Sequence, residues 1–349
     1  MATPRVEVGV LGATGPVGQQ FIARLASHPW FRLAWVGASL RSEGKRLSEI
    51  GWQLAQPLPD EVRDLVVQLP APGRAPRIIF SALDAAVATT LEPAFAAAGH
   101  IVVSNASSHR MDPLVPLLVP EVNADHLALV PIQQRQRGWT GAIVTNPNCS
   151  TVFLAMALGA LRSFAPRSVL VTTLQAISGA GYPGVASLDI VGNVIPRIAG
   201  EEEKVESETK KILGAVDGEA ITPHPMTISA TTTRVPVIDG HTELVSVAFE
   251  RTVPLDDLRQ AFESLSGRPQ ELRLPSAPAR PIVYLDQPDR PQPRLDVGRG
   301  DGMTVSVGRL RRCPVLDAKF VVLGHNTVRG AAGAALLNAE LMLAEHLLD

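Results

Sequence analysis

Three observations predict a two-part α/β protein. Strand and helix patterns alternate from residue 5 to about 105. A glycine-rich turn follows the first strand, and the pattern changes after Cys149. The first part reads as a doubly wound parallel sheet. The second reads as an α+β domain with a large mixed sheet. A chain of 349 residues is long for one core and suits two domains. The expected division is 1–147, with 326–349 packing back on it, and 148–325.

Val6 to Leu11 reads as a buried parallel strand. Gly12-Ala13-Thr14-Gly15-Pro16-Val17-Gly18 follows, and then a helix with Phe21, Ile22 and Leu25 turned inward. Strand, glycine turn and helix are the context of a Rossmann-type dinucleotide site, here in a GxxGxxG variant. Glycines let the backbone approach a pyrophosphate, and the helix start supplies N–H donors to it. Gly12, Thr14, Gly15, Val17 and Gly18 are the expected contacts. After the second strand, Leu33 to Ala38, an NAD binder places an acid for the ribose. This chain has Ser39, Arg41 and Ser42, with Lys45 close by. Those residues suit a 2′-phosphate, so NADP is expected. A strand at Arg77–Ala82 brings Ser81 and Ala82 to the same sheet edge, and Ile101–Asn105 runs into a polar loop ending at Arg110.

A lone cysteine, Cys149, stands at the start of an apolar helical run, just after Asn146-Pro147-Asn148. A helix N-terminus favours the thiolate, which makes a nucleophile of the sulfur. Further on come a long strand over 168–177, a glycine loop over 178–184 and a charged helix over 201–213 whose apolar positions are Val205 and Ile212. Strands are expected at 227–237, 242–250, 303–310 and 320–323. The proline-rich stretch 269–293 reads as extended loops, and 326–348 as a long helix.

Composition excludes several classes. Net charge is −2, which does not suit a nucleic-acid or anionic-membrane binder. The two cysteines, Cys149 and Cys313, make no disulfide framework and suit a reducing cytosol. No zinc-like ligand spacing occurs, so no metal is expected. No apolar run is long enough to span a bilayer, and Met1-Ala2-Thr3-Pro4-Arg5 leads into a strand rather than a signal peptide. A cytoplasmic protein is expected.

The chain resembles the aspartate-β-semialdehyde dehydrogenases over nearly its whole length. The resemblance is carried by Gly12–Gly18, Ser104-Asn105-Ala106, Val119–Asn123, Asn146–Thr151, Glu201–Lys204, Arg234–His241 and Pro291–Asp296. Asp239-Gly240-His241-Thr242-Glu243 and the 291–296 segment resemble the archaeal and fungal branch. Such enzymes interconvert L-4-aspartyl phosphate and L-aspartate 4-semialdehyde with NADPH and phosphate, for lysine, methionine and threonine synthesis. They are homodimers or homotetramers. The resemblance makes Cys149 the nucleophile that forms a thioester and His241 its acid/base partner. An imidazole with an ordinary pKa near 6.5 suits proton transfer at neutral pH. Gln175 would orient the substrate, and Asn148 with the helix N–H groups would meet the oxyanion. Arg234 would bind the substrate carboxylate, Glu201 its ammonium, and Arg110 with Lys204 the phosphate. Ser178, Gly179 and Asn326 would join the cofactor contacts. Cys313 is read as structural. The alternative is a malonyl-CoA or succinyl-CoA reductase of the same architecture, which would not need Glu201.

Overall fold

The protein is described by a computed structural model covering residues 5–348; the reading of residues 1–4 as a lead into the first strand lies outside them. The first sheet contains β1 (Val6–Leu11), β2 (Phe31–Gly37), β3 (Val67–Gln68), β4 (Ile78–Ser81), β5 (Ile101–Ser104) and β6 (Ala142–Thr145). Its order is β3-β2-β1-β4-β5-β6, and every pairing is parallel. Parallel strands buried on both faces need continuous apolar runs. Val8, Val10, Phe80, Ile101, Val103, Ala142 and Val144 supply them, all fully buried. The order reverses between β1 and β4, and the crevice at the strands' carboxyl ends there is where such sheets bind ligands.

The second sheet contains β7 (Pro166–Gln175), β10 (Thr227–Arg234), β11 (His241–Phe249), β12 (Ile282–Leu285), β13 (Val305–Arg312) and β14 (Ala318–Gly324). Its order is β10-β7-β11-β14-β13-β12, with parallel and antiparallel pairs mixed. A small hairpin of β8 (Ala215–Asp217) and β9 (Ala220–Thr222) stands apart. The proline-rich stretch is not loop throughout, because β12 runs through it and pairs with β13.

The Cys149–Ala160 helix joins the two layers. Its residues 150–158 are all buried, so it is apolar on every face. It packs against Val169, Val171, Val245, Val247 and Val322 of the mixed sheet. The terminal helix Gly333–Ala344 packs instead into the core of the parallel sheet, through Ala335, Leu336, Leu337 and Leu341. The expected long tail helix therefore begins differently than its composition suggests. Residues Val328–Ala332 form a π-helical turn first. Arg329 in that turn is fully buried and makes a two-pronged ion pair with Glu121, equally buried. Breaking one side of such a pair costs about 3–5 kcal/mol, so it fixes the turn firmly. No helix among the described residues is long and apolar enough to cross a membrane.

Candidate active site

Asn148 begins the site. Its Oδ1 accepts from the N–H groups of Ser150 at 2.9 Å and Thr151 at 3.3 Å, capping the helix that Cys149 opens. That cap uses two of the amides expected at an oxyanion. The N–H of Cys149, at the first helical position, is left for the role. Asn148 Nδ2 donates to Glu201 at 2.7 Å, so its first job is structural positioning.

The mixed sheet brings in the rest. Arg234 pairs with Gln175 at the ends of β10 and β7, and Thr242 pairs with Leu174, which puts His241 on the rung beside Gln175. His241 Nε2 lies 3.2 Å from Cys149 Sγ, across 92 residues of sequence. Its Nδ1 accepts from the N–H of Ala176 at 3.0 Å. Gly240, at φ +98°, makes the turn that starts β11. Its N–H donates to Asn326 Oδ1 at 2.8 Å, and Asn326 Nδ2 reaches Ser178 Oγ at 2.8 Å.

Two close backbone approaches hold the pair together. A Cβ on Gly179 would stand 2.8 Å from Arg234 Nη1 and 2.9 Å from His241 Cε1. A Cβ on Gly330, in the π-helical turn, would stand 2.7 Å from Cys149 Cβ. Such turns recur at functional sites.

Charges ring the sulfur. Glu201 accepts from Lys204 at 3.1 Å through Oε1, and from Asn148 and Gln175 (3.3 Å) through Oε2. Arg234 donates to the Ala176 carbonyl at 2.7 Å. Arg110 pairs with Glu208 at 3.0 Å, and Glu208 also accepts from the Asn148 N–H at 2.6 Å. Lys211 gives its three hydrogens to the carbonyls of Arg110, Asp112 and Val115 at 2.7–2.8 Å, which anchors the loop that carries Arg110.

Two expectations about proton affinity are reversed. The helix start does not leave Cys149 acidic. Burial, and then the Glu201 carboxylate, push the thiol up to about 12 against the pull of Arg110, Arg234 and the Ser150 N–H. His241 does not titrate near neutrality. Burial, then Arg234 and His325, bring it down to about 3. Burial of a charge outweighs one helix dipole, whose effect is about 0.3–1 kcal/mol, against up to 3–5 units for full desolvation. Burial therefore favours the uncharged form of both partners.

The parallel sheet carries the nucleotide candidates. Gly12, at φ +73°, lies against the Ala82 carbonyl, and Gly18 packs onto the Gly12 carbonyl, where any side chain would collide. A Cβ at Gly15 would project into open space, 3.7 Å from its nearest neighbour. No side chain caps the helix that starts at Pro16. Bare N–H groups beside an open glycine turn fit a pyrophosphate. Leu11 stands level with Gly37 and Ser81, so the loop with Ser39, Arg41 and Ser42 and the Ser81–Ala82 edge flank that turn. Ser39 and Arg41 are exposed.

Sequence reasoning missed Glu208, Lys211, Gly330 and the Ala176 N–H. Glu208 and Lys211 had a signal. They fall on the stripe of Glu201, Val205 and Ile212, the buried face of one helix. Gly330 and Ala176 had none, because their roles arise only from tertiary packing.

A doubly wound sheet with an open glycine turn, set against a mixed sheet that delivers an imidazole to a helix-start thiol, defines a nucleotide-dependent oxidoreductase. Models described as the NAD binding domain and the dimerisation domain of semialdehyde dehydrogenases match residues 7–130 and 158–329. The chain belongs to the aspartate-semialdehyde dehydrogenase family. The aspartate-semialdehyde dehydrogenase of Archaeoglobus fulgidus is 50% identical over 99% of this chain and 100% of its own length. That of Cryptococcus neoformans is 52% identical over 99% of each. A crystal structure of aspartate semialdehyde dehydrogenase with NADP from Candida albicans has a TM-score of 0.92 at 44% identity, over 98% of this chain and 99% of that one.

Proposed function

We propose that this chain is an NADP-dependent aspartate-semialdehyde dehydrogenase that reductively dephosphorylates L-4-aspartyl phosphate through a thioester on Cys149. The observation that carries this reading is the 3.2 Å approach of His241 Nε2 to Cys149 Sγ, with Arg234 and Glu201 beside it. Attack by sulfur on the acyl phosphate forms the C–S bond and releases phosphate. The nicotinamide, when bound, supplies the hydride that turns the thioester into the aldehyde. Gly12, Thr14, Gly15, Val17, Gly18 and the Ser39–Ser42 loop hold the nucleotide, and Ser178, Gly179, Ser81, Ala82 and Asn326 line its path toward Cys149.

The chain's own groups divide the remaining work. Arg234 meets the substrate carboxylate and Glu201 the ammonium, with Gln175 between them. Arg110 and Lys204 take the phosphate. His241 governs the hydrogen at sulfur, and the Cys149 N–H faces the carbonyl oxygen. An ammonium site supports the amino-acid acyl phosphate over a CoA thioester. Residues 1–147 with 326–349 act as the nucleotide unit and 148–325 as the catalytic and dimerisation unit. The exposed Leu170 and Leu244, on one face of the mixed sheet, support self-association as a homodimer or homotetramer. Two unpaired cysteines support a cytoplasmic location.

The test is phosphate-dependent reduction of NADP⁺ with L-aspartate 4-semialdehyde, run beside NAD⁺ and beside CoA. Turnover that needs phosphate and prefers NADP⁺ is expected. Activity with CoA thioesters and none with the semialdehyde would overturn the substrate.

A further inference from the structure

We propose that the buried ion pair Arg329–Glu121 positions Cys149: it holds the Val328–Ala332 turn so that the Gly330 backbone backs the sulfur-bearing residue, and it serves activity rather than stability. The proposal rests on reading Cys149 as the nucleophile and names what fixes that residue in place.

One side of the pair is a rigid anchor. Glu121 lies in the short helix Pro120–Asn123, which is tied to the end of the parallel sheet. The Leu118 N–H donates to the Thr145 carbonyl at 2.9 Å. Asn123 accepts from the Val119 N–H at 2.8 Å and donates to the Leu117 carbonyl at 2.9 Å. Gly267 packs so closely that a Cβ there would stand 2.6 Å from Glu121 Cα.

The other side is the turn. π-Helical turns are rare and need support from their surroundings. Here the His325 carbonyl accepts from the N–H groups of Val328 at 3.2 Å and Gly330 at 3.0 Å. All five turn residues are buried. Arg329 projects from the turn, and its two Nη atoms meet the two oxygens of Glu121, one of them at 2.8 Å. A fork on a carboxylate fixes direction as well as distance.

The turn reaches the nucleophile twice. A Cβ on Gly330 would stand 2.7 Å from Cys149 Cβ and 3.1 Å from its Cα. The Ala331 carbonyl accepts from Asn146 Nδ2 at 3.0 Å, and Asn146 Oδ1 accepts from Asn338 Nδ2 at 2.6 Å. Asn146 opens the segment that ends at Cys149. A shift of the turn therefore moves both the wall beside Cys149 and the strap ahead of it. A misplacement of about 1 Å at a reacting centre costs on the order of 100-fold in rate.

Stability does not account for the pair. Both charges are fully withdrawn from water, and Arg329 Nε has no hydrogen-bond partner among the described residues. Exchanging such a pair for apolar side chains of similar volume is often neutral or stabilising. What apolar side chains do not reproduce is the direction that the fork imposes on the turn.

The test is the double variant Glu121→Leu with Arg329→Met in the full-length enzyme. Its Tm is expected at or above that of the parent. Its kcat is expected to fall at least about tenfold, with KM for NADP⁺, phosphate and the semialdehyde near the parent values. Iodoacetamide is expected to alkylate its Cys149 faster, because the wall beside the thiol has moved. A folded double variant with full kcat and an unchanged alkylation rate would overturn the proposal. Arg329→Lys keeps the charge and loses the fork, so a smaller loss in kcat and a smaller gain in alkylation rate are expected; parent values for both would also overturn it. If neither variant folds, the pair serves stability and the proposal falls. Failure of the enzymatic reading would appear separately, as absent NADP⁺ reduction in the unmodified protein.

Discussion

Glu201 Oε2 accepts a hydrogen bond from Asn148 Nδ2 at 2.7 Å, so the residue that caps the Cys149 helix is tied to the residue proposed for the substrate ammonium. The same carboxylate is the second cause, after burial, of the raised proton affinity of Cys149. On the proposed assignment, substrate recognition and thiol chemistry share one charge.

Glu201→Gln separates the two effects. Losing the negative charge lowers the Cys149 pKa, so iodoacetamide alkylation of the ligand-free thiol at pH 8 accelerates. The KM for the semialdehyde rises, because a charge-assisted bond of about 1.5–3 kcal/mol to the ammonium is lost. Alkylation rates and steady-state kinetics on one preparation check both. Slower alkylation would contradict the assignment.

Gly179→Ala is expected to cost about 100-fold in kcat with little change in Tm. Its methyl group would meet Arg234 Nη1 at 2.8 Å and His241 Cε1 at 2.9 Å, which forces the imidazole away from sulfur. Kinetics together with a thermal melt distinguish this displacement from unfolding.

Lys211→Met removes three donors from the carbonyls of Arg110, Asp112 and Val115. Leaving buried acceptors unpaired costs roughly 1–3 kcal/mol each, and the loop that aims Arg110 loosens. A lower Tm and a raised KM for phosphate are expected, with the KM for the nucleotide unaltered.

Glu243→Gln tests stability against pH. Glu243 lies on β11 two residues beyond His241, is fully buried, and neither carboxyl oxygen has a hydrogen-bond partner among the described residues. Burial holds it protonated well above the usual carboxylate range. Above an unfolded value near 4.5 the native state therefore binds the extra proton. Native stability then falls as pH rises, by about 1.4 kcal/mol per pH unit, until the folded group itself ionises. Gln carries no such slope. Denaturant midpoints at several pH values are expected to show the variant gaining on the parent as pH rises.

Much of this was legible in the sequence. The parallel sheet follows from apolar runs separated by helical stretches. The glycine turn follows from residues whose added Cβ atoms would strike backbone, as at Gly12 and Gly18. Cys149 was visible as a polar interruption before an apolar helix, and Arg234 and His241 through a recognisable segment. Proton affinities were not legible, because they depend on what surrounds a group in space. The helix start beside Cys149 is local and readable, whereas the enclosure that overrides it comes from β7, β11 and the Val328–Ala332 turn. Glu208 was overlooked because a charge on a helix is ordinarily a solvated one, and only the two-sided bond to Arg110 and the Asn148 N–H gives it a role.

On the proposed mechanism, a carbonyl carbon is carried on one sulfur. The most direct measurement is acid-quenched intact-protein mass spectrometry of the enzyme mixed with L-4-aspartyl phosphate in the absence of NADPH, followed by peptide mapping. One added aspartyl group is expected, on the peptide containing Cys149, absent from Cys149→Ala and discharged on adding NADPH. An unmodified protein that still turns over, or an acyl group on any other residue, would contradict it.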